Sequence, residues 1–352
     1  VTATLSRELV GVGPHDGAHR PALRCAVSVG VPLLVVLVLG RDDLLGAVTF
    51  GAFTAIYGRD VTVPARTRVQ GAAAVALVVG AAAGLLAAHL PGAPWSVLGV
   101  LVVIAVAATA LGEVVRWRPS GPLFPLMTAG ALSASPPLAW SAALGVLVAV
   151  GVTAVFAIAV GSAGVVRRDH PWAPLTPLTP VAAALRARLV GQVLLACVVA
   201  APFAELVDVE HLYWALLSAV IPLSVATLRK QVVRGVHRVA GTTAGLGLAA
   251  LLLWAHLPVW AVALAVVVLQ GLIELLVLRH YAVAVVLITP MSLLVGAAAH
   301  PTPVGPLLVD RLVATAVGVA VAVVVLAVPP LLGGLRARTR PSAGRGPART
   351  PR

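Results

Sequence analysis

The sequence predicts an all-α, polytopic membrane protein with about twelve transmembrane helices, arranged as two parallel six-helix repeats. Three observations carry this. Of 352 residues, 60% are hydrophobic and only 11% are charged, too little charge to cover a soluble chain of this length. Apolar runs long enough to cross a bilayer recur from one end to the other. The charges also alternate. With a cytosolic N-terminus and twelve spans, the outer segments hold Arg41 and Arg311 against Asp42, Asp43, Glu205, Asp208, Glu210 and Asp310, and every inner segment is the basic one. That asymmetry sets orientation in a membrane. It also accounts for the net charge of +13 without nucleic acid as a partner.

Taken in order, residues 1–20 are polar and assigned to the cytosol. The first repeat occupies 21–166, with spans at Pro21–Gly40, Leu44–Gly58, Val69–Leu90, Trp95–Leu111, Pro122–Leu138 and Ala139–Val166. The first run has no small-x-small cleavage site before the next span, so it is expected to be a span rather than a cleaved signal. The fifth is interrupted by Pro125, Pro136 and Pro137, which predicts a bent helix lining a cavity, with the question of a full crossing left open. A Pro-rich cytosolic linker covers 167–187. The second repeat, 188–332, has spans at Leu189–Leu206, Leu212–Leu228, Val236–Leu257, Val259–Leu278, Tyr281–Ala299 and Pro306–Leu332. Residues 333–352, rich in Arg, Gly and Pro, show no hydrophobic periodicity and are expected to be a disordered cytosolic tail that meets anionic lipid.

Six spans per half is an even number, so both halves enter the membrane from the same side. A pseudo-two-fold axis along the membrane normal then relates them. Traces of the repeat survive in sequence. Ala22-Leu23-Arg24 pairs with Ala184-Leu185-Arg186, and Arg68-Val69-Gln70-Gly71 with Arg238-Val239-Ala240-Gly241.

The organising stretch is Tyr213–Gly245, an apolar span, a basic loop and a second apolar span. Arg229, Lys230, Arg234 and Arg238 crowd that loop, where they either gather anions at the inner mouth or only fix topology. Gly241 and Gly245 make a small-xxx-small face for close helix packing. Arg68 and Arg238, each at the inner end of a span, are the candidate substrate cations. Tyr281, Thr289 and Pro290 are candidates deeper along the path, because a proline inside a span frees a carbonyl and bends the helix. Glu274 is a candidate coupling carboxylate, with an ion pair to the nearby Arg279 or His280 as the alternative. Asp310 and Arg311 are a candidate outer gate, with a mutual interfacial ion pair as the alternative. Trp95, Trp140, Trp214, Trp254 and Trp260 fall near span ends and read as belt anchors.

Other chemistries find no support. The histidines show no metal-ligand spacing, no phosphate-binding glycine loop ends in Lys-Ser or Lys-Thr, and no nucleophile triad or carboxylate pair recurs at fixed spacing. No enzyme activity, cofactor or metal is therefore expected. Cys25 and Cys197 lie within apolar runs and read as buried thiols.

Three pieces of the second half, in order, resemble the fusaric acid resistance and aromatic acid exporter family. They are YWALLSAVIPL followed by TLRKQVVRGVHRVAGTTAG, RHYAVAVVLITPMSLL at Arg279–Leu294, and VDRLVATAVGVAVA at Val309–Ala322. Together they span roughly residues 212–322. The first half resembles the other copy more weakly, with Asp43-Leu44 in place of the Tyr-Trp start. The resemblance implies efflux of small organic, chiefly aromatic, carboxylate anions across the bacterial plasma (inner) membrane. Plant anion channels of a related fold conduct organic anions between two six-helix units, which leaves an organic-anion channel as the alternative. A non-transporting scaffold or accessory subunit is the second alternative, and a homo-oligomer is compatible with each.

Overall fold

The computed structural model describes residues 9–15, 17–59, 61–90, 94–163, 180–225, 227–299 and 302–339. The fold is all-helical, and nine of its helices among the described residues are long and apolar enough to cross a membrane. In chain order the helices of the first set are α1 (His19–Val38), α2 (Leu45–Ala52, continued by the 3-10 turn Phe53–Ile56), α3 (Val63–Ala87), α4 (Pro94–Val115), α5 (Leu123–Ser133) and α6 (Trp140–Ser162). The second set is α7 (Pro180–Leu206), α8 (Leu212–Leu223), α9 (Leu228–Trp254), α10 (Val259–Leu276), α11 (Tyr281–Ala299) and α12 (Val304–Thr339).

Each set of six packs by one scheme. In the first set α2 lies on α6, α3 on α5 and on α6, and α4 on α5. In the second, α8 lies on α12, α9 on α11 and on α12, and α10 on α11. The contacts between the sets come in matching pairs as well: α1 against α10 and α7 against α4, then α5 against α8 and α11 against α2. This reciprocity is what a pseudo-two-fold relation between parallel repeats requires.

Glycine spacing explains why α3–α5 and α9–α11 approach so closely. A Cβ on Gly241 would stand 2.6 Å from the Ala282 carbonyl oxygen, and one on Gly245 2.8 Å from that of Val286. In the first set, Gly80 and Gly84 press in the same way on the carbonyls of Pro125 and Ala129. Both glycine pairs and both carbonyl pairs are four residues apart, one helical turn. This aligns Gly80 with Gly241 and puts buried Leu77 at the position of Arg238. The sequence alignment of Arg68-Val-x-Gly71 with Arg238-Val-x-Gly241 is therefore out of register. A Cβ on Gly71 would meet nothing within 4 Å.

Three elements are too short to cross lipid. α2 has 8 residues, α5 has 11 and α8 has 12, or about 12–18 Å at 1.5 Å per residue against a hydrocarbon core of about 30 Å. Short spans are stable only where protein or a water-filled cavity surrounds them. All residues from Trp214 to Leu223 are buried accordingly. The expected span Leu212–Leu228 is corrected on this point, since the helix ends at Leu223, just after Pro222. The fifth span likewise ends at Ser133, before Pro136 and Pro137.

The basic segment after α8 is helix rather than loop. Thr227 caps α9, its hydroxyl oxygen accepting from the Lys230 N–H at 3.4 Å, a common helix-start device. Arg229, Lys230, Arg234 and Arg238 all ride on the first turns of α9. At the other end, α12 continues as helix to Thr339, beyond the expected boundary at Leu332. Of the expected linker 167–187, residues 167–179 lie outside the described residues, whereas from Pro180 the chain is already helix α7; the tail beyond 339 also lies outside them.

Candidate functional site

The short helices surround a cavity of about 1310 Å³. α2, α5, α8 and α11, which pair across the two sets, line its middle. α8 presents Tyr213, Trp214, Leu217 and Ile221, and α5 presents Phe124, Met127 and Ala131, residues at turn spacing on one face of each helix. Three of the chain's five phenylalanines, Phe50, Phe53 and Phe124, form an apolar wall, with Phe53 and Phe124 ring centroids 4.8 Å apart.

Cationic side chains line the cavity too, most of them from the second set. Lys230, Arg234 and Arg238 line the cavity from α9 at four-residue spacing, a ladder about 12 Å long. The Arg234 guanidinium carbon lies 4.1 Å from the Tyr281 ring centroid. Arg238 stands ten residues beyond Leu228, the start of α9, about 15 Å along the axis. It is therefore a deep residue and not a mouth residue. It is 3% exposed. Its Nη2 donates to Ser218 Oγ at 3.5 Å, and its Nε has no partner.

Arg311 reaches the same region from α12. It is 2% exposed, and its Nε and Nη1 are buried without hydrogen bonds. Its guanidinium carbon lies 4.8 Å from the Trp214 ring centroid. Trp214 is 4% exposed, so it is a cavity wall and not a belt anchor. The other four tryptophans of that group, at 95, 140, 254 and 260, are exposed as a belt requires. Ser218 and Trp214 are one turn apart on α8, so Arg238 and Arg311 come to neighbouring turns of one helix.

Asp310 and Arg311 part company. Asp310 Oδ1 accepts from the Glu210 N–H at 2.9 Å, and its Oδ2 lies 2.7 Å from His211 Nδ1 and accepts from the His211 N–H at 3.2 Å. Asp310 thus anchors the start of α8, and His211 in turn stacks on Trp214 at 4.2 Å. Glu210, His211 and Asp310 offer three potential metal ligands within 4.8 Å of one another, but both Asp310 oxygens are already engaged in holding α8. The mutual Asp310–Arg311 pair is replaced by these separate roles.

Glu274 also lines the cavity and is 3% exposed. Its partner is Arg59, 215 residues away in sequence, and neither Arg279 nor His280. Arg59 Nη1 donates to Glu274 Oε2 at 3.2 Å and to the Glu274 carbonyl at 2.8 Å. Gln270 Nε2 donates to the other carboxylate oxygen at 3.4 Å. A second link between the sets stands opposite, Arg186 to Glu113 at 3.7 Å. Glu113 on α4 and Glu274 on α10 occupy matching helices. A carboxylate near the end of the fourth span in each half was the available signal for this pairing.

The remaining expected site residues divide. Tyr281 lines the cavity, whereas Thr289 and Pro290 do not. Thr289 donates to the Val285 carbonyl at 3.0 Å and packs on Gly245 of α9, and Ser292 faces the cavity one turn on. Arg68 lies outside the lining. The buried arginine near it is Arg66, whose Nε and Nη1 donate to the carbonyls of Gly58 and Gly161 at 2.9 and 2.8 Å and tie α3 to α6. At the acidic end Arg41 grips Asp43 through Nε and Nη2, at 2.8 and 2.7 Å, and holds that carboxyl below its ordinary range.

These features define a polytopic helical membrane protein with a central cavity lined by cationic and aromatic side chains. Residues 195–325 match the family model described as fusaric acid resistance protein-like, in agreement with the resemblance of the second half. The match runs from α7 into α12 and includes Arg238, Tyr281 and Arg311. It supports a membrane transporter. Neither the curated proteins nor the solved structures return a match to the chain.

Proposed function

We propose that this protein moves small organic, chiefly aromatic, carboxylates out of the cell through the central cavity. One observation carries the reading: Arg238 and Arg311 are buried, keep unpartnered N–H groups, and line a cavity walled by Phe50, Phe53 and Phe124. A guanidinium stays charged and binds carboxylate through paired donors. The phenylalanine wall suits the ring of the same molecule. Lys230 and Arg234 form the approach, raising the local anion concentration at the basic end. With that end in the cytosol, an anion leaving an inside-negative cell gains about 2.3 kcal/mol per charge per 100 mV. A monoanion then needs no proton partner.

A channel is the second reading, favoured by the extent of the lining, which runs from Lys230 at the basic end to Asp43 and Ser135 at the acidic end. Cells carrying the gene and loaded with labelled benzoate test the transport reading. They should lose the label faster than cells carrying the Arg238→Ala, Arg311→Ala double variant at equal membrane abundance. Equal loss rates would overturn it.

A further inference from the structure

The arginines at the centre of the cavity pose a charge problem of their own. Arg238 and Arg311 are 3% and 2% exposed, and a guanidinium does not shed its proton. A buried charge without a counter-charge is strongly disfavoured. Asp310 lies within electrostatic reach of Arg311, but no carboxylate of the second set pairs directly with either arginine. Glu274 is held by Arg59 and Gln270, and Asp310 by Glu210 and His211. Glu113 faces Arg186. Around the two cations stand Ser218, Trp214, Tyr213 and Leu217 from α8. Three guanidinium nitrogens there have no partner: Arg238 Nε, Arg311 Nε and Arg311 Nη1.

We infer that the Arg238–Arg311 cleft binds a halide ion of the chloride class whenever no carboxylate occupies it. The inference rests on the same cavity being the anion site of the transport reading, and it adds a second ligand that competes there. The chemistry selects a small monoanion. Desolvation cost grows with the square of the charge, so phosphate or sulfate would give up far more hydration than this cleft returns. Three N–H donors and one hydroxyl suffice for a monoatomic ion. The Trp214 and Tyr213 rings offer no positive charge to hold a dianion. An incoming carboxylate then displaces the halide instead of entering an empty, doubly charged site. Chloride should lower the apparent affinity for the organic anion without lowering its maximal rate.

Equilibrium binding of radiolabelled chloride to the purified full chain in detergent tests this. The parent should bind chloride saturably and benzoate should displace it. Arg238→Gln or Arg311→Gln should each weaken binding about tenfold or more, the effect of losing a charge-assisted hydrogen bond. Arg229→Gln, at an exposed position on α9, should bind as the parent does. Chloride should also raise the melting temperature of the parent and leave that of the double variant unmoved, a readout that shows the variants are folded. Absence of saturable binding to the parent, undiminished binding to the double variant, or binding that benzoate does not displace would each overturn the inference. Benzoate transport without chloride binding would sink the halide site and leave the transport reading standing. Chloride binding at Arg238 and Arg311 without benzoate transport would do the reverse.

Discussion

Arg59 and Glu274 form an ion pair at 3.2 Å that ties the turn after α2 to the end of α10, and their side chains are only 12% and 4% exposed. The second pair between the sets, Arg186 and Glu113, is longer at 3.7 Å and wetter, at 17% and 21%. Breaking a buried pair by removing one partner costs about 3–5 kcal/mol, whereas partly exposed pairs contribute about 1 kcal/mol or less. Glu274→Gln should therefore lower the melting temperature in detergent far more than Glu113→Gln. Arg59→Met combined with Glu274→Gln should recover part of the loss. Equal shifts for the two single variants would show that burial is not what separates the pairs.

The Arg311–Trp214 contact predicts an effect on affinity. A desolvated cation–π contact contributes about 0.5–2 kcal/mol. Trp214→Leu should raise the KM for the transported anion between about twofold and thirtyfold. Trp214→Phe keeps an aromatic face and should fall between Leu and the parent. The concentration dependence of flux reads this directly. An unchanged KM for Trp214→Leu would mean that Arg311 is held by other groups.

Helix approach at the glycines gives a third prediction. Gly245→Val would force a branched side chain against the Val286 carbonyl and Thr289, both 2.8 Å from its Cβ position. Overpacking of this kind costs about 1–3 kcal/mol or more, so the yield of folded protein should fall. Gly71→Ala meets open space and should be neutral or stabilising by about 1 kcal/mol through helix propensity. Size-exclusion profiles and melting curves separate the two cases.

Orientation is open to chemical labelling. Cys25 and Cys197 are both buried, so background labelling should be low. A cysteine at Ser120 should react only from the cytosol, and one at Ser135 only from outside. Labelling of the Ser120 site from outside would invert the proposed direction of the basic end.

Much of the fold was legible because it rests on two robust signals, apolar length and charge alternation. Those signals are local. They matched twelve helices, nine of them, among the described residues, long and apolar enough to cross a membrane, and the glycines at 241 and 245 marked a real close approach. Where local signals sufficed less well, long-range packing decided. Hydropathy reports apolar length and not surroundings, so α8 read as a nearly full span although it is short and buried from Trp214 to Leu223. A run of arginines reads as a loop by composition, yet Thr227 starts a helix and carries Arg238 three turns in. The Arg-x-x-Gly match misaligned the halves because Arg66 ties α3 to α6 and Arg68 lies outside the lining, whereas Arg238 faces the cavity. Arg59 and Glu274 lie 215 residues apart, and no pattern along the chain announces that pairing. Arg311 looked tied to its neighbour Asp310, but successive residues on a helix point about 100° apart, and each found a different partner.

The central claim is that Arg238 and Arg311 bind an organic anion in transit. Purified protein in liposomes, with an imposed membrane potential and labelled benzoate, tests it most directly. The parent should move benzoate toward the positive side. Arg238→Ala and Arg311→Ala should each cut the initial rate about tenfold or more, with Arg238→Lys between them and the parent and Arg68→Ala affected less than either. A parent without benzoate flux, or a double alanine variant that moves benzoate as fast as the parent, would contradict the account.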